Sequence, residues 1–175
     1  MRHVALAALF VSVLAAAPAA AQSSWKIGAS AGVTLPIGDA GDVYKTGFGG
    51  GVTIMRHTGS KLAFGVDAQL HRLGLADAFD EILDIEGNLT GAAAFGRVDY
   101  AIAPTAYLIG GAGLFRSEIS VEDSELDISG STTDFAVQAG LGLNFGKSLF
   151  VEGKLINVFG DETARFIPIT VGIRF

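Results

Sequence analysis

"FIPITVGIRF", residues 166–175, is the stretch on which the reading of this chain turns. Ile167, Ile169, Val171, Ile173 and Phe175 fall on every second position, with Pro168, Thr170, Gly172 and Arg174 between them. Side chains alternate across an extended chain, so the segment reads as a β-strand with one apolar face and an aromatic last residue. A hydrophobic chain end frays in water unless something holds it. The remaining sequence has to supply that partner.

The same period recurs upstream. "DFAVQAGLGLNF" (134–145) sets Phe135, Val137, Ala139, Leu141, Leu143 and Phe145 against Asp134, Ala136, Gln138, Gly140, Gly142 and Asn144. "KLAFGVDAQLH" (61–71) opposes Leu62, Phe64, Val66, Ala68 and Leu70 to Lys61, Asp67, Gln69 and His71. "LFVEGKL" opposes Leu149, Val151 and Leu155 to Glu152 and Lys154. No segment carries a convincing helical stripe. Strands are expected near 25–36, 46–56, 61–72, 88–100, 104–117, 132–146, 148–157 and 164–175. Ala and Gly blur the phase of the fourth and fifth, although Arg97 and Asp99 share one face of the fourth and Ala94, Val98 and Tyr100 the other. Short turns at 57–60, 101–104 and 146–148 alternate with longer polar loops at 37–45, 73–87, 118–131 and 158–163. This is an up-and-down meander with one plain end and one elaborated end.

Residues 1–21 stand apart as a cleavable signal peptide: Arg2 and His3 form a basic start, Val4 to Ala17 an apolar core, and Ala19–Ala21 a small-residue cleavage site before Gln22. Residues 22–175 are then the mature domain, 175 − 21 = 154 residues, whose formal charge moves from −6 to −7 with the loss of Arg2. An acidic chain without a basic patch argues against a nucleic-acid partner. There is no cysteine, so an exported chain gains no disulfide framework.

Half of the residues are hydrophobic and 17% are charged, yet no run of about 20 apolar residues follows the N-terminal segment. Alternation alone fits a soluble sandwich or lipocalin-like barrel as well as a membrane barrel, in which apolar side chains meet lipid and polar ones fill the lumen. The polar faces are rich in small residues, as at Gly28, Ser30, Gly32, Gly140 and Gly142. Such residues suit a narrow interior better than a water-exposed face. Two aromatic belts are also expected on the apolar phase: Trp25, Tyr100, Tyr107, Phe145 and Phe175 at the short-turn end, and Phe48, Phe115 and Phe135 at the other.

On these features the chain resembles the small outer-membrane beta-barrel family of Gram-negative bacteria, of the OmpX/Ail and OmpA-barrel type. The resemblance covers essentially all of 22–175 and is one of architecture, without a catalytic motif. It implies an all-β fold, an eight-stranded antiparallel up-and-down transmembrane barrel in the outer membrane, surrounded by lipid and lipopolysaccharide. It also implies that Phe175 and its strand act as the signal read by the barrel-assembly machinery, with that strand closing against the first. Pro168 departs from the pattern, since proline removes a ladder donor, and a bulge or local break is expected there.

Candidate chemistry is sparse. His57 falls in a turn. His71 shares the lumen face with Asp67, and a lipid-modifying enzyme would need a serine beside it; Ser117 and Ser120 are candidates only on a distant loop, so a hydrogen-bonded lumen histidine is the expectation. Asp67, Arg97, Asp99, Asp134, Glu152, Lys154 and Arg174 are expected to pair into a lumen plug, because unpaired charges in a narrow interior are costly. The alternative use of those residues is a narrow channel for small or hydrophobic solutes. Two loops are acidic and lack any basic residue: 75–87 with Asp77, Asp80, Glu81, Asp84 and Glu86, and 117–129 with Glu118, Glu122, Asp123, Glu125 and Asp127. They are solvated faces by default, or a surface for divalent cations or a basic partner, on hairpins that extend above the membrane. No cofactor, catalytic residue or dedicated metal site is indicated. The reading is a monomeric, non-enzymatic envelope or surface-binding barrel. Intact mass of the protein extracted from outer membranes should correspond to a chain that begins at Gln22; a mass that includes Met1–Ala21 contradicts the signal-peptide reading.

Overall fold

Period-two alternation becomes eight antiparallel strands in a computed structural model that describes residues 25–58, 60–74, 86–122, 127–161 and 163–175, with backbone alone at 86–87, 120–122 and 127–129. These are β1 (Trp25–Ile37), β2 (Gly47–Thr58), β3 (Leu62–Gly74), β4 (Glu86–Ala101), β5 (Ala106–Glu122), β6 (Asp127–Phe145), β7 (Leu149–Phe159) and β8 (Thr163–Arg174). Each pairs with its sequence neighbour, and β8 pairs back onto β1, from Arg174 opposite Gly28 to Arg165 opposite Ile37. The sheet is a closed barrel. The terminal phenylalanine is held by its main chain: the Phe175 N–H donates to the Ile27 carbonyl at 2.9 Å, and the Ile27 N–H donates to the Phe175 carbonyl at 3.3 Å.

The apolar phase faces outward. Leu62, Phe64, Val66 and Leu70 of β3 are exposed, as are Leu141, Leu143 and Phe145 of β6 and Ile169, Val171 and Ile173 of β8. The shortest strand, β7, has 11 residues, enough for the roughly 9–11 that a tilted strand needs to cross a bilayer. β4, β5 and β6, with 16, 17 and 19 residues, run beyond that length. Their outward positions turn polar past Leu114 and Phe135, at Arg116, Glu118, Thr133 and Ser131. The segment 118–131 is therefore mostly a raised hairpin, and its loop shrinks to the few residues between Glu122 and Asp127.

Two expectations need correction, and at Pro168 the expected local break is found without a bulge. Tyr107 and Phe115 point into the barrel, where both are buried. The run Gly110–Gly111–Ala112–Gly113 gives β5 no bulky residue to mark its phase, and the inward face is where those two rings find partners. Phe159 completes the outer aromatic belt instead, with its ring 6.0 Å from that of Phe135. The connection 37–45 contains a one-turn helix, α1 (Asp39–Val43), introduced by Gly38 at φ 62°, with Ala40 buried against the barrel. Pro168 causes no bulge: β8 keeps one register against β1, and its pairing to β7 is in phase on both sides of a gap at Lys154 and Leu155. A proline nitrogen has no hydrogen to donate, so the ladder is interrupted there without being shifted.

Inward glycines act as sockets for inward rings. Gly142 lies directly across from Tyr107, and a Cβ there would sit 2.1 Å from the ring. Gly91 makes the same room for Phe115, at 2.5 Å. Gly142→Ala should cost about 1–3 kcal/mol, the usual range for overpacking. Denaturant titration in lipid should also show Gly142→Ala with Tyr107→Leu costing less than the sum of the single changes, because the two sites touch.

Candidate functional site

Among the described residues the lumen is where polar groups are gathered out of solvent, and β7 shows its order. Inward positions along that strand run Phe150, Glu152, Lys154, Ile156, Val158: an aromatic, an anion, a cation, then two aliphatics. The polar half lies toward the short turns and the apolar half toward the long hairpins.

Arg97 of β4 is the hub. Its side chain is fully buried, and its five N–H donors meet five acceptors. Nε and Nη2 clasp Asp99 at 2.8 and 3.1 Å. Nη1 donates to Glu152 at 3.0 Å and to Asp67 at 3.2 Å, and Nη2 donates to the other Glu152 oxygen. Lys154 bridges Asp67 at 3.1 Å and Glu152 at 3.5 Å. Arg174 approaches Glu152 at 3.6 Å and donates to the Tyr107 hydroxyl at 3.1 Å, while that hydroxyl donates to Glu152 at 2.7 Å. Three cations, Arg97, Lys154 and Arg174, thus face three carboxylates, Asp67, Asp99 and Glu152. Four β-strands besides β4 contribute, so the cluster ties the walls of the barrel together.

Above the ions sits a neutral layer. The Gln69 amide donates to Asp67 at 2.8 Å and to Gln138 at 2.9 Å, and Gln138 donates to Asp67 at 3.3 Å. His71 hydrogen-bonds Gln69 at 3.2 Å and Thr34 at 2.8 Å, with the Phe115 ring stacked at 6.1 Å. Among the described residues no serine bonds to His71. Phe115 stacks in turn on Phe166 at 5.6 Å, and Phe95, Leu73, Leu89, Ile156, Val158 and Ala40 of α1 fill the bore around them.

Six of the seven expected lumen charges come together. Asp134 does not: it is half-buried on the inward phase, four residues beyond Gln138 on β6, roughly 14 Å along the strand. Its carboxylate lies beside Gly160 at the outer rim, too far to reach Arg97. Gln69, Gln138 and Thr34 join the cluster without having been expected there, as does Tyr107, which the aromatic belt was expected to hold on the lipid face. The phase shared with Asp67 was a usable signal for Gln69. The apolar half of the bore was not foreseen: Phe115 was expected in the outer belt, and Phe166, on the phase of Thr170 and Arg174, was not read as a lumen residue. Of the acidic loop residues, Asp77, Asp80, Glu81, Asp84, Asp123 and Glu125 lie outside the described residues. Glu86, Glu122 and Asp127 are placed by strand pairing alone, Glu86 opposite Glu122 and Glu122 opposite Asp127. Among the described residues no group of three or more His, Asp or Glu is arranged to hold a metal ion.

With a closed eight-stranded barrel, an apolar outer wall and a paired interior in view, comparison with known families is decisive. The model of the outer membrane protein beta-barrel domain matches residues 4–175. The chain belongs to that family. It is an outer-membrane protein of the Gram-negative type. A search of curated proteins returned no match. Among solved structures, the attachment invasion locus protein Ail of Yersinia pestis, crystallised with the heparin analogue sucrose octasulfate, superposes with a TM-score of 0.66 at 19% identity, covering 86% of this chain and 99% of Ail. Neisserial surface protein A gives 0.60 at 14% identity, covering 87% and 96%. The N-terminal barrel of Pseudomonas aeruginosa OprF gives 0.54 at 18% identity, covering 86% and 97%. At these identities the likeness is one of fold.

Arg97→Met should destabilise this family member by about 3–5 kcal/mol, because it leaves three buried carboxylates short of a partner. The unfolding midpoint of the barrel in lipid vesicles measures it. A change below about 1 kcal/mol, the scale of an exposed pair, would contradict the hub assignment.

Proposed function

We propose that this protein is a non-enzymatic outer-membrane barrel with an occluded lumen that works through its raised, acidic hairpin end. The observation that carries the reading is the filling of the bore: a neutralised ion cluster centred on Arg97 below and the Phe115–Phe166 stack above. Eight strands leave an interior only wide enough for side chains, so a filled bore leaves no path for solute. The short turns face the periplasm and the long hairpins the cell exterior. The signal peptide ends at Ala21, the mature barrel is a monomer, and Phe175 with its strand is the element recognised by the barrel-assembly machinery. Its backbone pairing to Ile27 makes it the closing residue of the seam.

The hairpin end favours a cationic partner, a divalent ion shared with lipopolysaccharide or a basic protein surface. Residues 75–87 and 117–129 carry ten acids and no base. Register sets Glu86, Glu122 and Asp127 in one row across β4, β5 and β6. A sulfated polyanion of the kind bound in the Ail crystal is a poor match to that surface. His71 is structural: its ring bonds to Thr34 and Gln69 inside the bore, away from lipid.

Conductance of the refolded barrel across a planar bilayer tests the reading. A folded, inserted and electrically silent protein is the expected result. Discrete, stable current steps would replace it with a narrow solute channel lined by Asp67, Arg97, Glu152 and Lys154.

A further inference from the structure

The two ends of the barrel carry opposite charge. Across the short-turn segments 25–28, 56–61, 101–106, 144–149 and 172–175 stand Lys26, Arg56, Lys61, Lys147 and Arg174, with no aspartate or glutamate. A cavity of about 330 Å³ opens at this mouth, lined by Lys26, His57, Asn144, Lys147, Ser148 and Arg174. That volume falls at the lower end of the roughly 300–1,000 Å³ typical of small-molecule sites. Among the described residues neither Lys26 nor Lys147 makes an ion pair, and both are exposed.

Arg174 sits differently. It is nine-tenths buried, with its guanidinium 4.7 Å from the Phe150 ring centre and 5.3 Å from that of Tyr107. Its Nη1 reaches Asn144 at 3.5 Å, and its Nε is buried without a partner. The carboxylates nearest it among the described residues are already engaged: Glu152 by Arg97, Lys154 and Tyr107, and Asp99 by Arg97. A nine-tenths-buried guanidinium with one N–H unpartnered, lining a cavity shared with the unpaired ammonium groups of Lys26 and Lys147, is a binding arrangement for an oxyanion.

We propose that the short-turn mouth of the lumen is an anion site that takes a phosphate group, borne by a free phosphate or by the headgroup of a lipid in the adjoining leaflet. A tetrahedral oxyanion offers several acceptor oxygens at once, which suits the converging ammonium, guanidinium, amide and hydroxyl donors better than a halide does. The site is independent of what the acidic hairpins bind, and of whether the bore conducts.

The test follows backbone amides of the 15N-labelled barrel purified from outer membranes. In nonionic micelles, inorganic phosphate is titrated against sodium chloride at matched ionic strength. Saturating shifts at Lys26, Gly146, Lys147 and Ser148 that chloride does not reproduce are expected. They should weaken about tenfold or more in the double variant K26Q/K147Q, which loses two charge-assisted contacts and leaves the ion cluster untouched. If phosphate is silent but the same amides shift, variant-sensitively, when phosphatidylglycerol is added to phosphatidylcholine nanodiscs, the phosphate group is a lipid's. No shift in either arm, shifts matched by chloride, or shifts unchanged in the double variant would overturn the proposal.

Discussion

Hydrocarbon offers no partner to a backbone N–H or C=O, and the remainder of this structure follows from that constraint. An open sheet in lipid would leave an edge of unsatisfied groups, each costing several kcal/mol. The meander therefore closes, and the closing ladder runs between β8 and β1, out to the reciprocal pair of Phe175 and Ile27. The greasy terminal strand has its partner in the first strand and its solvent in lipid. Closure also explains why Pro168 is tolerated in mid-strand: the β1 side of β8 keeps its ladder, and the gap on the β7 side spans only Lys154 and Leu155.

Closing eight strands fixes a bore that side chains must fill and cannot overfill. That requirement explains the small residues of the inward phase. Tyr107 fits because Gly142 faces it, and Phe150 fits because Gly172 faces it, with a Cβ at Gly172 falling 2.4 Å from the Phe150 ring. Size is thus set in pairs across the ladder. Charge is set the same way. No single pair accounts for Arg97; its neutralisation needs acids from three strands, β3, β4 and β7, so the cluster assembles only when the barrel is closed.

How much of this was legible in the sequence depended on whether a strand carried bulky markers. β3, β6, β7 and β8 alternate plainly, and there the sequence indicates which face meets lipid. From that phase Asp67, Glu152, Lys154 and Arg174 fall inside, and Arg97 and Asp99 follow from β4. β5 is ambiguous because its middle is Gly and Ala, and the expected aromatic belts place Tyr107 and Phe115 on the apolar phase, facing lipid. Packing decides their direction: an aromatic goes inward where a glycine across the ladder leaves a socket, and strand pairing is needed to see that. Asp134 shows the complementary limit. Phase put it in the lumen correctly, but height along the barrel separates it from Arg97, and height comes from register. The helix α1 has no periodicity to read, since five residues make little more than one turn.

The division of the bore into a polar lower half and an apolar upper half has a physical consequence. Coulomb attraction between buried charges grows as the local dielectric falls, and so does the penalty for any charge left unpaired. The Phe115–Phe166 stack, with Ile156 and Val158 one and two inward steps above Lys154, packs the bore between the ions and the hairpin end. The glutamine and histidine layer between them offers hydrogen bonds without charge, so Asp67 is never placed directly against hydrocarbon. At the opposite end the inward rings, Phe150 and Tyr107, are set around a charge. There the last cation of the cluster, Arg174, meets the mouth with aromatic faces on its guanidinium and one donor unspent. The interior thus carries its apolar packing on the side of the acidic hairpins and its charge on the side of the basic turns, an asymmetry that follows from which half of β7 carries charge.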